Sequence, residues 1–539
     1  MASITRTTAV DDAHVGDIRG ALGTIPADDS APRSGLSAKL KTLLAIVGPG
    51  LIVMCGDNDA GAFSTYGQAG QNYGTRLLWT LLLLIPVLYV NQEMVLRLGA
   101  VTGVGHARLL IERFGRSWAA LMVIYLLILN ALTLVTEFIG ITMAAGYLGV
   151  PKPVAVLLAA GVILAAAATG SFRRFERIAV ALCLGSLLLI PLYLVSHPPG
   201  SVMIRGFTEP GLPGGSGQMA TVMLLIIGIV GTTVAPWQLF FQQSYVVDKR
   251  ITPRFIRYEK VDLWIGIVIV VVGAAALMGA VAAAFAGTRG AGNFTDAAGL
   301  AHGIAAHAGR IAGAVFAVAL LDASIIGAFA VSLSTAYAVG DTLGLKHSLH
   351  SGFGQAKGFY AIYAALIAVA AAIVLIPHAP LGLIIEGVQA LAGVLLPAAT
   401  VFLLMLCNDR AVLGPWVNRR GTNVFTSAVI TVLIALSAVL TASVVFPGIT
   451  SRQIVVIVLG CLAAAAAAGG WTLIRSLRGH SSVEVDRRDR ENWRMPPLNM
   501  LSKPAMSAGR KVILTILGSY MAIAMILVIV RIVQLAIGH

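Results

Sequence analysis

Long runs of apolar residues, separated by short polar connections, dominate the chain. Thirteen of these runs are long enough to cross the roughly 30 Å hydrocarbon core of a bilayer as helices. The runs are continuous and show little alternation of polar and apolar residues, which predicts helices and not the strands of a barrel. They are Leu40–Tyr66, Leu77–Met94, Trp118–Leu148, the short Val154–Ala168, Ile178–Val195, Met219–Tyr245, Leu263–Ala286, Ile311–Ala338, Phe359–Ile376, Leu383–Leu406, Val424–Val445, Ile454–Leu473 and Val512–Ile537.

The composition agrees with this pattern. Of 539 residues, 58% are hydrophobic and only 12% are charged, whereas soluble domains contain about 25% charged residues. A water-soluble enzyme could not bury so much apolar surface, and a disordered chain has the opposite composition. The sequence therefore predicts an all-α polytopic membrane protein of about 13 spans.

The basic residues are distributed unevenly among the connections. If the N-terminus is cytoplasmic, the cytoplasmic connections carry 26 Lys and Arg residues and the opposite ones carry 6. Basic residues accumulate on the cytoplasmic side of membrane proteins, so this asymmetry predicts a cytoplasmic N-terminus. The formal net charge of +14 is then explained by these loops, and no nucleic-acid partner is expected.

Two of the runs contain residues that interrupt a helix. The first carries Asp57, Asn58 and Asp59 between glycines, and the sixth carries Pro236 at its centre. Each break alone would be read as a packing glycine or a proline kink. The two helices occupy corresponding places in two five-helix halves, which is typical of an inverted-repeat transporter whose binding site lies at the membrane midplane.

The residues at the first break indicate a cation. On a regular helix Asp57 and Asp59 would point to different sides, but in an unwound stretch they can converge. Two close carboxylates repel each other unless a proton or cation separates them. Carboxylate, amide and carbonyl oxygens are hard ligands that suit Mg²⁺ or Mn²⁺.

Other polar residues at membrane depth leave two interpretations open. They line an ion pathway, or they form hydrogen bonds between helices. Gln389 shares a helix face with Glu386, three residues earlier, whereas Glu93 has Arg97 four residues on, which favours an intrahelical ion pair. The possible pathway residues are Glu137, Gln238, Asp322 and Glu386.

At these positions the sequence resembles the Nramp family of divalent-metal transporters, from about Leu40 to Leu473. The resemblance implies a LeuT-like fold, in which helices one to five and six to ten form inverted repeats and extra helices follow. It also implies a metal substrate, no enzymatic activity and no cofactor. The motifs that carry it are Gly48-Pro49-Gly50, Asp59-Ala60-Gly61, Gly70-Gln71-Asn72-Tyr73-Gly74, Leu77-Leu78-Trp79, Arg97-Leu98-Gly99-Ala100-Val101-Thr102-Gly103 and Arg173-Arg174-Phe175-Glu176.

The resemblance also assigns site residues. The family's aspartate corresponds to Asp59, its carbonyl ligands to Gly56 and Thr232, and its tenth-helix glutamine to Gln389. Asp57 and Asn58 lie just before the family aspartate and compensate for the asparagine that Ala62 replaces. The expected metal site thus comprises Gly56, Asp57, Asn58, Asp59, Thr232, Ala235 and Gln389.

Several departures from the family pattern bear on the ion. Ala235 stands where the family has a methionine, a soft ligand that favours transition metals. Leu134 and Gln242 replace two residues of the family's proton route. The chain therefore looks most like the Nramp-related magnesium transporters, which predicts transport of Mg²⁺, Mn²⁺ or both by alternating access. The alternative is a proton-coupled Mn²⁺/Fe²⁺ symporter.

Two other classes fit less well. A carrier of organic substrates would present a free helix end to a substrate carboxylate, which acids at the first break disfavour. An intramembrane enzyme needs a nucleophile and base, and no His-Glu-x-x-His or comparable pairing occurs. The expected organisation is a disordered cytoplasmic tail (1–37), a transporter core (38–475), a basic cytoplasmic loop (476–511) and an additional transmembrane helix (512–539), in the bacterial inner membrane.

Overall fold

The computed structural model describes residues 14–213, 219–376, 381–446, 449–477, 486–488, 490–502 and 508–537. These residues form one short hairpin, a series of α-helices and four short 3₁₀ helices (Leu184–Leu188, Pro253–Phe255, Gly414–Trp416 and Leu498–Met500). In chain order the elements are β1 Ile18–Arg19, β2 Thr24–Ile25, α1 Leu36–Ile46, α2 Pro49–Cys55, α3 Ala60–Tyr73, α4 Trp79–Thr102, α5 His106–Phe114, α6 Arg116–Tyr147, α7 Lys152–Ala167, α8 Phe172–Cys183, α9 Leu189–Ser196, α10 Gly200–Thr208, α11 Met219–Thr233, α12 Pro236–Asp248, α13 Ile256–Phe285, α14 Ala297–Ala308, α15 Arg310–Leu343, α16 Lys357–Val374, α17 Leu381–Cys407, α18 Arg410–Leu413, α19 Arg420–Val445, α20 Ser451–Leu477 and α21 Ala508–Ile537.

The polytopic helical fold predicted from the apolar runs is confirmed. Within the described residues, ten helices are long and apolar enough to cross a membrane, and the bent pair α1–α2 could form an eleventh. The fourth and thirteenth predicted runs correspond to α7 and α21, whose described apolar stretches are shorter. The first run differs most from a simple span, because it is divided into α1, α2 and α3.

The bend between α1 and α2 is fixed by charged side chains from neighbouring helices. The two helices meet at 53°. Lys249 Nζ donates hydrogen bonds to the carbonyls of Ile46 and Val47, at 2.7 and 2.8 Å. Asp262 accepts from the backbone N–H groups at the start of α2, including Gly50 at 2.7 Å. A cation at the end of one helix and a carboxylate at the start of the next complement both helix dipoles.

The N-terminal segment differs from the expected disordered tail. Residues 1–13 lie outside the described residues, but the chain is ordered from residue 14 and forms the β1–β2 hairpin. Ile18, Ala21 and Ile25 are at most 4% exposed. The backbone N–H of Ala21 donates to Glu176 Oε2 on α8 at 2.6 Å. The high average polarity of this N-terminal segment indicated disorder. Its three buried apolar side chains and the buried hydrogen-bond acceptor on α8 are nevertheless enough to order it.

The segment after the predicted core folds back onto the bundle. The N–H of Met495 donates to the carbonyl of Val101 at the end of α4, at 3.3 Å. Trp416 Nε1 donates to the carbonyl of Arg490 at 2.7 Å. The last helix, α21, packs along α17, and Tyr520 donates a hydrogen bond to the Val394 carbonyl at 3.4 Å. The described part of the basic loop is therefore held against the helices.

Candidate functional site

The first break separates α2 from α3 and places two carboxylates at the start of α3. The N–H groups of Asp57 and Asn58 bond to carbonyls three residues earlier, each at 3.2 Å, which ends α2 in a tight turn. Asp59 is the N-cap of α3, and its Oδ1 accepts from the N–H of Ala62 at 2.9 Å. Asp57 and Asp59 are 0% and 3% exposed, so both carboxylates are enclosed by protein.

The second break separates α11 from α12. Ala235 adopts an extended conformation and begins α12 without a side-chain cap. Pro236 follows as the first helical residue, where its missing N–H does least harm. The chain thus turns between two helix ends within Val234 and Ala235, and both residues are buried.

Each break leaves several carbonyls without their usual helical donors. In a continuous helix the N–H of Ala60 would bond to Gly56, but it donates instead to Glu137 Oε2 at 3.2 Å. Pro236 has no N–H to donate to Thr232, four residues earlier. The carbonyls of Gly56 and Thr232, which the resemblance assigned as ligands, are therefore among those that lose their helical donors. Carbonyls of unwound helices are suited to coordinate cations.

Asp57 is connected to the second break by a chain of amides. Gln238 on α12 donates a hydrogen bond from Nε2 to Asp57 Oδ1. Gln238 Oε1 in turn accepts from Gln92 Nε2 on α4 at 2.7 Å. Asp57 Oδ2 is buried and has no hydrogen-bond partner among the described residues. One oxygen of Asp57 is thus oriented by the protein while the other remains available to a ligand.

Asp59 and Gln389 meet at Gly61. A Cβ at Gly61 would overlap the Gln389 amide and would come within 3.0 Å of Asp59 Oδ1. Gln389 is 3% exposed, and its Nε2 has no hydrogen-bond partner in the described part of the chain. A side chain at Gly61 would therefore displace the Gln389 amide from its position at the start of α3.

Glu137 on α6 also lies beside Asp59, at the start of α3. It is fully buried, and its Oε1 lacks a hydrogen-bond partner among described residues. A Cβ at Gly327 on α15 would lie 2.8 Å from Glu137 Oε2 and 3.0 Å from the Asp59 Cβ. A small residue on α15 therefore allows Glu137 to reach the break.

Two predicted residues are placed differently, and a third is not described. The amide of Asn58 is directed towards Gly273 on α13, where an added Cβ would lie 2.6 Å from Nδ2. Asp322 lies against Gly185 in the fifth predicted span, where a Cβ would overlap its carboxylate. The side chain of Glu386 lies outside the described residues. The structure thus brings Asp57, Asp59, Glu137, Gln238 and Gln389 around the breaks, and it directs Asn58 and Asp322 towards other helices.

The donor set is poor in side-chain metal ligands. Among the described residues, no three His, Cys, Asp or Glu side chains are grouped to hold a metal ion. A cation at the breaks must therefore take most of its ligands from carbonyls, amides and water. Such oxygen ligands suit hard cations.

Two features of the site were not predicted. Tyr66 on α3 and Thr233 at the end of α11 form a hydrogen bond of 2.6 Å between the two breaks. Gln92, which orients Gln238, belongs to the polar triplet Asn91-Gln92-Glu93 inside an apolar run. That triplet was a usable signal, since amides at membrane depth require partners.

The chain is similar to a known protein family and to known metal transporters. The family model "Natural resistance-associated macrophage protein-like", abbreviated Nramp, matches residues 50–443. The divalent metal cation transporter MntH of Ralstonia nicotianae is 29% identical over 412 residues, covering 74% of this chain and 90% of the relative. MntH of Burkholderia ambifaria is 30% identical over 327 residues, covering 57% and 71%. The crystal structure of an Eremococcus coleocola manganese transporter is similar with a TM-score of 0.61 at 21% identity, covering 87% of this chain and 99% of that one.

Proposed function

This chain belongs to the Nramp family and is a multi-pass divalent-metal transporter, and from that premise we propose that its ion is Mg²⁺, Mn²⁺ or both. The proposed site lies between the two helix breaks. Its ligands are the carboxylates of Asp57 and Asp59, the carbonyls of Gly56 and Thr232 and the amide of Gln389. The observation that carries the proposal is that the breaks free the carbonyls of Gly56 and Thr232, and that the first break encloses the carboxylates of Asp57 and Asp59.

The choice of ion rests on the hardness of the donors. Every proposed ligand is an oxygen atom, and Ala235 supplies no sulfur at the second break. Mg²⁺ sheds its water reluctantly and is usually bound with several waters retained. A site with two carboxylates and few other side-chain ligands can therefore accept a partly hydrated ion. Fe²⁺ and Cd²⁺ gain little additional binding free energy from a site without a soft ligand.

Transport by alternating access would use the same broken helices. Helix α2 is short and bent against α1, and α3 begins anew at Asp59. The angle between α2 and α3 can therefore change without breaking helical hydrogen bonds. The basic connections support a cytoplasmic N-terminus, most simply in a bacterial inner membrane.

The second candidate is a proton-coupled Mn²⁺/Fe²⁺ symporter. The position of Glu137 favours it, because this buried carboxylate contacts the first break directly. Leu134 and Gln242 disfavour it, since neither side chain can exchange a proton at physiological pH. We therefore rank uncoupled or weakly coupled transport first.

The test is metal uptake by liposomes that contain the purified protein. Wild-type protein should transport Mg²⁺, Mn²⁺ or both, with little advantage for Cd²⁺. Asp59→Ala should abolish uptake while the protein still folds and inserts. The matched control is Asp322→Asn, which changes a carboxylate that lies away from the breaks. Near-normal uptake by Asp59→Ala would overturn the proposed site.

A further inference from the structure

A second polar site lies beside α4, on which Gln92 contacts Gln238 of the break site and the next residue, Glu93, lines a separate cleft. A cleft of about 340 Å³ is formed by the end of α4, the start of α13, the turn before α19 and part of the C-terminal basic segment. Its described lining contains one carboxylate, Glu93, and five cationic side chains. The cations are Arg97, Lys260, Arg419, Arg487 and Arg490.

The single carboxylate is already shared by two of the cations. Glu93 pairs with Arg97 at 3.0 Å and with Lys260 at 2.8 Å. The predicted intrahelical pair between Glu93 and Arg97 is therefore present, with a second cation added to it. Among the described residues, no carboxylate lies within 4.0 Å of the other three arginines of the cleft.

Two of these three arginines, Arg487 and Arg490, make contacts among the described residues that hold them in place without neutralising them. Arg490 stacks on the Trp416 ring, with its guanidinium carbon 4.7 Å from the ring centroid. Arg487 donates a hydrogen bond to the Val417 carbonyl at 3.2 Å. Partial burial lowers the pKa of Arg487, and the positive charges of Arg419, Arg490 and Arg97 lower it further. Cations fixed this close together attract an anion.

An exposed apolar stripe on α13 leads to the cleft. Lys260 lies one helical turn before Trp264, which is 43% exposed and stacks on Tyr89 with 5.0 Å between ring centroids. Exposed aromatic residues are typical of the membrane–water interface. The stripe continues along the helix through residues at helical spacing that are 38–56% exposed, namely Val261, Ile265, Val268 and Val272.

We propose that this cleft binds the headgroup of an anionic phospholipid. The phosphate lies among Arg419, Arg487 and Arg490, and an acyl chain follows the apolar stripe of α13. Arginine binds phosphate with paired, charge-assisted hydrogen bonds, and basic pockets between transmembrane helices are known to hold lipid headgroups. The adjoining stripe favours a lipid over a soluble phosphate, which would leave that stripe unused.

The site gives the C-terminal basic segment a role. Arg487 and Arg490 come from this segment, whereas Arg419 and Lys260 come from the bundle. A lipid bridging them would hold the segment against α4 and α19. This inference does not depend on the identity of the transported metal, because the cleft and the helix breaks share no lining residue.

The experiment measures lipid binding to the purified, delipidated full-length protein. Phosphatidylglycerol is titrated in detergent, and bound lipid is counted by native mass spectrometry. Each basic residue near an anionic surface contributes a factor of roughly five, so Arg419→Gln combined with Arg487→Gln should weaken binding by roughly 30-fold. The matched control, Arg174→Gln with Arg488→Gln, removes the same charge from exposed positions and should bind like the wild type.

Further variants and competing ligands distinguish the possible causes of weaker lipid binding. Replacing the same two arginines with lysine keeps the charge and should retain most of the lipid binding. Retained binding would also show that the two positions tolerate substitution. Phosphatidylcholine and inorganic phosphate should not compete with phosphatidylglycerol. Equal binding of phosphatidylcholine, effective competition by inorganic phosphate, or equal losses in the control variant would each overturn the proposal.

Discussion

The backbone N–H of Ala60 donates a hydrogen bond to Glu137 Oε2 across 3.2 Å. This contact joins the first broken helix to α6 and takes the place of a helical bond to Gly56. Glu137 therefore stabilises the break itself, whether or not it carries a proton. A carboxylate in this position has two possible roles, and they can be separated because an amide preserves the acceptor but not the charge.

The first prediction concerns proton coupling. Glu137→Gln should retain metal uptake to within about tenfold, because the amide oxygen still accepts from Ala60. The lumen of liposomes containing either the wild type or the variant should show no acidification as Mg²⁺ or Mn²⁺ enters. The measurement uses a pH-sensitive dye inside liposomes with an imposed membrane potential. Acidification that follows metal entry in the wild type and disappears in the variant would establish coupling and favour the symporter.

The sequence predicted the fold and part of the site for identifiable reasons. The length of an apolar run identifies a membrane span, and the glycines around Asp59 and the proline Pro236 identify helix breaks. The spans and the breaks could therefore both be predicted from the sequence. The direction of a side chain in an unwound segment is set by its neighbours, so the turn of Asn58 towards Gly273 could not be predicted. The hairpin around Ala21 was missed because its partner, Glu176, is 155 residues away.

The close contact at Gly61 gives a second prediction. Gly61→Ala should reduce uptake at least tenfold, because a Cβ would displace Gln389 and press on Asp59. The matched control is Gly228→Ala on α11, where a Cβ would meet only Thr65 at an ordinary 3.5 Å. Uptake by both variants is measured at equal amounts of inserted protein. Equal activities would show that the packing around Gly61 does not control the site.

Ala235 gives a third prediction, on selectivity. Ala235→Met places a thioether at the second break, and soft sulfur favours Cd²⁺ over Mg²⁺. We expect the ratio of Cd²⁺ to Mg²⁺ uptake to rise by on the order of tenfold, equivalent to about 1.4 kcal/mol. Ala235→Leu has similar bulk without sulfur and is the control. An unchanged ratio in the methionine variant would place Ala235 outside the coordination sphere.

The bend between α1 and α2 gives a fourth prediction, on stability. Lys249 is fully buried and pairs with Glu176 at 2.7 Å while also holding two helix-end carbonyls. Lys249→Met leaves that carboxylate without its cation, and removing one partner of a buried pair costs about 3–5 kcal/mol. The thermal unfolding midpoint in detergent should fall clearly, whereas Lys346→Met, at an exposed position, should leave it nearly unchanged. Similar midpoints for both variants would contradict a clamping role for Lys249.

His347 gives a fifth prediction, on pH. It lies in the loop after α15, where its Nε2 is 3.0 Å from Asp341 Oδ1. Burial alone would lower the pKa of His347, but the hydrogen bond and charge of Asp341 raise it from 6.5 to about 9. Because the folded-state pKa is the higher one, the charged histidine stabilises the protein fully below about pH 6.5 and loses this contribution as pH rises through about 9.

The pH dependence is measured as the difference in unfolding midpoint between wild type and His347→Gln. The difference should be largest near pH 6, where the pKa shift corresponds to about 3 kcal/mol, and it should shrink steadily towards pH 10. His14, Asp248 and Tyr337 also face this histidine. These three residues are the same in both proteins, so the difference between wild type and His347→Gln reports the contribution of His347. His302→Gln, on α14 away from Asp341, controls for the loss of an imidazole. A difference that stays constant from pH 6 to 10 would mean that the pair with Asp341 does not depend on a charged His347.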